Sequence, residues 1–312
     1  MSKTTVFFIL IILLNFTRSA IFEPNNSSKE ANVIIKRGMN LDDVTESLYS
    51  KEIIKNPTIF KLWVKINFLE KKIKSGEFVF NANDSVFSVC KKIVNGDIIF
   101  RKLTIFEGSY KYDLLKNLRE IDPNTILSYE DIPDTLVADT YSYQVTDSAE
   151  RILNEIKKIS DDFSLKIWLE RNNNIPLKSI DEVFILASVV EMETSLKKEK
   201  PVISGVFYNR LNKNMRLQSD PTVVYSLTMG RFKLGRKLSR KDLKNQSPYN
   251  TYVNKGLPPS IICFPGKDSL LSTTQPFKSE LLYFVAKNSN GEHYFSTNYK
   301  DHLKNIKAAR EK

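Results

Sequence analysis

An unbroken apolar run covers residues 6–14, after Lys3 and before Asn15, Phe16, Thr17 and Arg18. It is shorter than the ~20 residues of a typical membrane-crossing helix, and its length suits the core of an export signal. Cleavage after Ala20 would put Arg18 where a small residue is needed, which favours an uncleaved anchor over residues 1–22 above a removed leader. The run is apolar on every face, unlike an amphipathic soluble helix. Residues 23–30 are polar and read as a linker.

Beyond the linker the pattern alternates between short apolar strands and helical spacing. Residues 31–35 predict a strand; Leu41, Val44, Leu48 and Tyr49 predict a helix capped by Asn40. Asn56 followed by Pro57 predicts the start of a second helix, and residues 76–80 a second strand. Asp84 is expected to cap a third helix, which Asn95-Gly96 closes. Some 70 residues in this pattern suffice for a small α/β unit over 31–100, with a larger mixed region over 101–312. Within the latter, residues 101–106 predict a strand, 112–118 a helix and 149–169 a long helix. Residues 183–192 are almost continuously apolar behind Ser179 and Glu182, a capping-box pair, so this helix should be central. Residues 206–211 predict another buried helix. Beyond Leu227 turn residues dominate, until residues 281–286 and 293–296 predict a hairpin. The expected fold class is α+β.

Composition narrows the partners. The chain has 312 residues, 47 Lys plus Arg against 36 Asp plus Glu, and a net charge of +11. That surplus favours anionic surroundings, but the basic residues are dispersed and an export signal argues against nucleic acid. With two Cys and two His, a Cys/His zinc site and a disulfide scaffold are both unexpected, and Cys90 and Cys263 read as unbridged buried thiols. His293 and His302 lack partners at metal spacing and read as strand and surface residues; no metal or other cofactor is expected.

The candidate chemistry lies at the end of the apolar helix, in Glu191-Met192-Glu193-Thr194. Residues two apart on a helix point about 200° away from each other, so these carboxylates cannot flank one substrate as an acid/base pair. Glu193 stands over Leu186, Val189 and Val190, a setting that raises a carboxyl's pKa toward that of a general acid. Glu191 is expected to accept bonds from nearby backbone or from Arg210. Downstream, Asp220 is expected to cap a helix begun by Pro221. Gln218, Asn250 and Tyr252 supply the amides and aromatic faces usual in a sugar-binding cleft. Residues 230–237 imitate a phosphate loop, yet Arg236-Lys237 stands where Lys-Ser/Thr is required.

Residues 186–194, 208–211, 215–222, 247–252 and 256–259, with Pro265-Gly266 and residues 293–295, resemble the YceG-like family of endolytic murein transglycosylases. The order and spacing of these motifs extend the resemblance over nearly the whole exported chain. One departure is Val137-Ala138 before Asp139-Thr140, where that family usually has Phe-Pro. The resemblance implies a LysM-like subdomain over 31–100 and a catalytic domain over 101–312. It also implies that Glu193 is the catalytic acid; around it, Glu191, Gln218, Asp220, Asn250 and Tyr252 are the candidate substrate-binding residues. The implied reaction is a lyase-type cleavage of peptidoglycan glycan strands, giving 1,6-anhydro ends and no role for a metal. Such an enzyme would sit on the inner membrane as a single-pass protein, its catalytic part outside the cytoplasm and peptidoglycan synthases as candidate partners. Two rivals remain: a non-catalytic peptidoglycan-binding protein, and a hydrolase in which Asp220 activates water.

Overall fold

The computed structural model describes residues 7, 15, 17–24, 30–287 and 291–311. Most of the expected anchor, and residues 25–29 of the expected linker, lie outside the described residues. Among the described residues no helix is long and apolar enough to cross a membrane. The chain divides into two compact units, one formed by Met1–Lys102 with Ser142–Asp147, the other by Leu103–Tyr141 with Ser148–Lys312.

In the first unit, strands β1 (Ala31–Ile35) and β2 (Gly76–Phe80) pair antiparallel, Ala31 opposite Phe80 and Ile35 opposite Gly76. Helices α1 (Leu41–Tyr49), α2 (Pro57–Ile66) and α3 (Val86–Asn95) accompany them. Their apolar stripes meet in a core that includes Val33, Ile35, Leu48, Phe60, Phe78, Phe80 and Ile93. The caps follow the sequence at Asn40 and Asn56, each of which accepts backbone N–H groups of the first helical turn. Gly96 ends α3 in the left-handed region at φ 80°, where glycine carries no Cβ penalty. The cap expected at Asp84 belongs to Ser85, whose hydroxyl accepts from Ser88 N. Asp84 is occupied elsewhere: Lys92 Nζ donates to it at 2.6 Å, and Ser88 and the Asn81 backbone donate to it as well.

The second unit is largely helical. Strands β3 (Arg101–Thr104) and β4 (Thr140–Tyr143) pair with each other, and the division between units falls inside both. Helices α4 (Lys111–Ile121) and α5 (Ala149–Leu169) precede the central helix α6 (Ile180–Glu193). In α6, Val183, Phe184, Leu186, Ala187, Val189 and Val190 are all fully buried, as an all-round apolar helix requires. Ser179 caps it by accepting from Glu182 N, but the Glu182 carboxylate accepts from Lys178 N rather than from the cap. Helix α7 (Lys200–Asn212) starts six residues before the expected point, and α8 (Asp220–Thr228) follows.

Helix α9 (Lys267–Thr274) arises from a stretch that reads as turns. Ser and Thr are poor helix formers, yet α9 packs against α6 and α7 with Ser269, Leu270, Ser272, Thr273 and Thr274 buried. The Thr273 and Thr274 hydroxyls donate to carbonyls one turn back, Thr273 to Ser269 at 2.8 Å. The hairpin β5 (Tyr283–Ala286) and β6 (His293–Ser296) is antiparallel, and α10 (Tyr299–Arg310) packs on it. Cys90 and Cys263 are free and buried, and burial raises the Cys90 thiol to about 12. The mixed α+β class of the sequence reading is the class observed.

Candidate active site

Helix α6 delivers its two terminal carboxylates in opposite directions, as its 100° step requires. Glu193 faces a groove of about 420 Å³ lined by Arg210, Gln218, Asp220, Tyr252, the β5–β6 hairpin and α10. Glu191 faces away into the protein, its side chain only 6% exposed. There it accepts from Lys200 Nζ at 2.7 Å, Gly266 N at 2.9 Å and Ser269 Oγ at 2.7 Å. Lys200 is itself 2% exposed, so a buried cation at the start of α7 matches a buried anion at the end of α6. The backbone partner expected for Glu191 is present. Arg210 is not its partner, because the guanidinium is engaged elsewhere, donating to Leu282 O at 2.7 Å and Leu217 O at 2.5 Å.

The surroundings of Glu193 set its proton affinity. Burial pushes its carboxyl up from 4.5 to about 7. The Ser219 hydroxyl opposes this, donating to Glu193 Oε1 at 2.5 Å and so favouring the charged form. The charge of Asp220 adds to the rise, and that of Arg210 subtracts from it. A carboxyl poised near neutrality can both give and take a proton at physiological pH.

Ser219, absent from the sequence expectation, occupies the N-cap position of α8 but makes no cap bond with its side chain. Its hydroxyl is turned to Glu193, and its own N–H donates to Thr251 Oγ1 at 3.0 Å. Asp220 is therefore not the cap: it is the first residue of α8, exposed to the groove, and its Oδ1 accepts from Tyr252 OH at 2.6 Å. Burial and then that bond push the Tyr252 phenol far above its ordinary value, so it remains a donor. Gln218 reaches the groove from a left-handed backbone, φ 50°, with its N–H donating to Thr251 O at 3.1 Å. Such a conformation in a residue with a Cβ is strained, and here the surrounding hydrogen bonds impose it.

Asn250 does not reach the groove. It is fully buried, donates to Leu243 O and Asn245 O, and accepts from Tyr252 N at 2.9 Å. Its amide shapes the loop that presents Thr251 and Tyr252. Of the six expected site residues, then, the groove gathers Glu193, Gln218, Asp220 and Tyr252, while Glu191 and Asn250 are internal struts. It also gathers Arg210, Tyr283, Tyr299 and His302, which the sequence reading did not place there. Among the described residues no cluster of three or more His, Cys, Asp or Glu is arranged to hold a metal ion.

The sequence model of the YceG-like family matches residues 33–308. An endolytic murein transglycosylase of Bacillus subtilis (strain 168) is 28% identical over 319 positions, covering 91% of this chain and 87% of the relative. One of Streptococcus pneumoniae (strain R6) is 27% identical over 331 positions, covering 90% of this chain but only 58% of the longer streptococcal protein. Among solved structures, a yceG-like protein of Listeria monocytogenes superimposes with a TM-score of 0.53 at 29% identity, over 88% of this chain and 99% of that one.

Proposed function

Because the chain belongs to the YceG-like family over residues 33–308, we propose that it is an endolytic murein transglycosylase with Glu193 as its catalytic acid and base. The observation that carries this reading is a carboxyl held near pKa 7 at the mouth of a groove, on the end of a buried helix. Relatives named for this activity cover about nine-tenths of the chain and support it.

In the first step the protonated Glu193 donates to the glycosidic oxygen between N-acetylmuramic acid and N-acetylglucosamine as the bond to the anomeric carbon breaks. In the second, the resulting carboxylate accepts the proton of the muramyl 6-hydroxyl while that oxygen closes onto the anomeric carbon. The product carries a 1,6-anhydro end and no water is consumed. One residue serves both steps, so the second carboxylate of an ordinary glycosidase is dispensable. Burial, with a smaller contribution from the charge of Asp220, favours the protonated Glu193 before the sugar arrives, and the Ser219 hydroxyl stabilises the carboxylate between the steps. Gln218 and Tyr252 bind the glycan along the groove. Cutting inside nascent strands would limit their elongation.

Placement follows from the rest of the chain. Residues 1–22 hold the enzyme at the inner membrane with the catalytic part, residues 101–312, outside the cytoplasm. Residues 31–100 form a LysM-like unit that assists glycan binding. Peptidoglycan synthases at the site of strand emergence are the fitting protein partners.

Mass spectrometry of products from purified glycan strands tests the assignment. Wild type should give anhydro-muramyl ends, and Glu193→Gln should lose at least about a thousandfold in rate. Undiminished cleavage by Glu193→Gln would reject the catalytic assignment, and no cleavage by wild type would leave a peptidoglycan-binding protein. Reducing ends, heavier by one water, would instead identify a hydrolase that uses Asp220.

A further inference from the structure

The groove wall opposite in sequence to the acid, formed by the β5–β6 hairpin and α10, contains a polar ring with no role in the reaction steps above. His302 on α10 lines the same groove as Glu193 and Asp220. Its ring lies on Tyr283 at 5.1 Å between centroids and 24° between planes, and Tyr299 touches it at 6.2 Å. Arg210 in turn lies 5.5 Å from the centre of the Tyr283 ring. Stacking on Tyr283 thus orients the imidazole. Its Nδ1 is buried and has no hydrogen-bond partner among the described residues.

That arrangement fixes the ring's chemical state. A protonated imidazole would place an N–H on the sealed Nδ1 with no acceptor and add a positive charge beside Arg210. Both effects favour the neutral ring, and burial together with Arg210 holds its pKa below the ordinary histidine value. With Nδ1 sealed, Nε2 is the ring nitrogen left for a ligand. Helix α10 buries none of its residues fully, so it adds little to the core of the unit, and its inner side completes the groove through Tyr299, His302 and Ile306.

We propose that His302 is a substrate-binding residue whose Nε2 hydrogen-bonds a hydroxyl or acetamido group of an N-acetylhexosamine seated in the groove beside Glu193. This rests on the glycan-cleaving reading, but its test does not depend on turnover. A neutral, pre-oriented ring suits a neutral sugar substituent, since neither partner must shed a strongly held hydration shell. A sugar group that meets Nε2 lies in the groove that the Glu193 carboxyl faces, which ties recognition to the scissile position.

The decisive measurement is binding of purified glycan strands to the full-length protein in a Glu193→Gln background, where nothing is cut. Adding His302→Phe, which keeps an aromatic ring and removes both nitrogens, should weaken binding about tenfold. His302→Gln, which restores a hydrogen-bonding group at similar reach, should keep most of the affinity. His302→Leu gives a second apolar replacement if Phe overfills the groove. With Glu193 intact, His302→Phe should raise KM by the same factor, with kcat and its pH dependence unchanged. Equal affinity for Phe, Leu and the parent would overturn the inference, as would equal losses for Phe and Gln. If wild type cut no glycan yet binding depended on His302, the enzymatic reading would fall and this one would stand. Cleavage that depends on Glu193, with binding indifferent to His302, would give the reverse.

Discussion

Replacing Glu193 by Gln should stabilise the protein at high pH and leave it unchanged at low pH. The substitution preserves the size of the side chain and its acceptor for the Ser219 hydroxyl, and removes only the titration. In the folded state the carboxyl titrates at about 7 instead of 4.5, chiefly because of burial. The folded form thus binds its proton more tightly than the unfolded chain does. The associated stability is fully present below pH 4.5 and is lost as pH rises through 7. A shift of that size, at 1.36 kcal/mol per unit, makes the ionised side chain cost about 3 kcal/mol at pH 9. In a unit of roughly 200 residues this corresponds to a melting temperature roughly 6–12 °C higher for Glu193→Gln at pH 9, with coincident melting at pH 4. Thermal unfolding followed by circular dichroism at the two pH values measures the separation. If the two proteins melt together at pH 9 as well, the carboxyl is not held in a charge-averse setting and the argument for a general acid fails.

The same electrostatics predicts a pH–rate profile that falls above about pH 7, as the acid loses its proton. Its midpoint should move up in Ser219→Ala, which removes a bond to the carboxylate, and down in Asp220→Asn, which removes a repelling charge; movement of both midpoints in one direction would contradict this. Lys200→Met should destabilise the protein by about 3–5 kcal/mol in urea unfolding, because it strands the Glu191 carboxylate among buried groups. Combining it with Glu191→Leu should recover most of that loss, and a double variant as weak as the single one would show that the charge is not the cause.

Local signals in the sequence specified much of the architecture, because caps and periodicities act through residues close in the chain. Asn40, Asn56 and Gly96 mark helix ends where the sequence places them. The errors share a cause. Asp84 and Ser85 are neighbours with equal capping chemistry, and Lys92 takes Asp84 and leaves the cap to Ser85; at Ser219 and Asp220 both side chains are taken by distant partners, Glu193 and Tyr252, so neither makes a cap bond. The early turns of α7 were hidden because Lys200 reads as a surface residue until Glu191 is seen beside it. Helix α9 was hidden because tertiary burial overrides the poor propensity of Ser and Thr. At the site, the opposed directions of Glu191 and Glu193 follow from helical geometry and were legible. The place of His302 depends on how a hairpin and a terminal helix fold back on α7, which no local pattern encodes.

The bond between Glu191 and Lys200 also constrains how this sequence can drift. Either residue exchanged alone leaves an orphaned ion in the interior, so a lineage passing through such an intermediate would be purged before a compensating change arose. Their codons lie only nine positions apart, so recombination would seldom separate them and the pair would be inherited as a block. Glu193, the acid proposed for the chemistry, makes no ion pair among the described residues, so no partner ion ties its replacement to a second site.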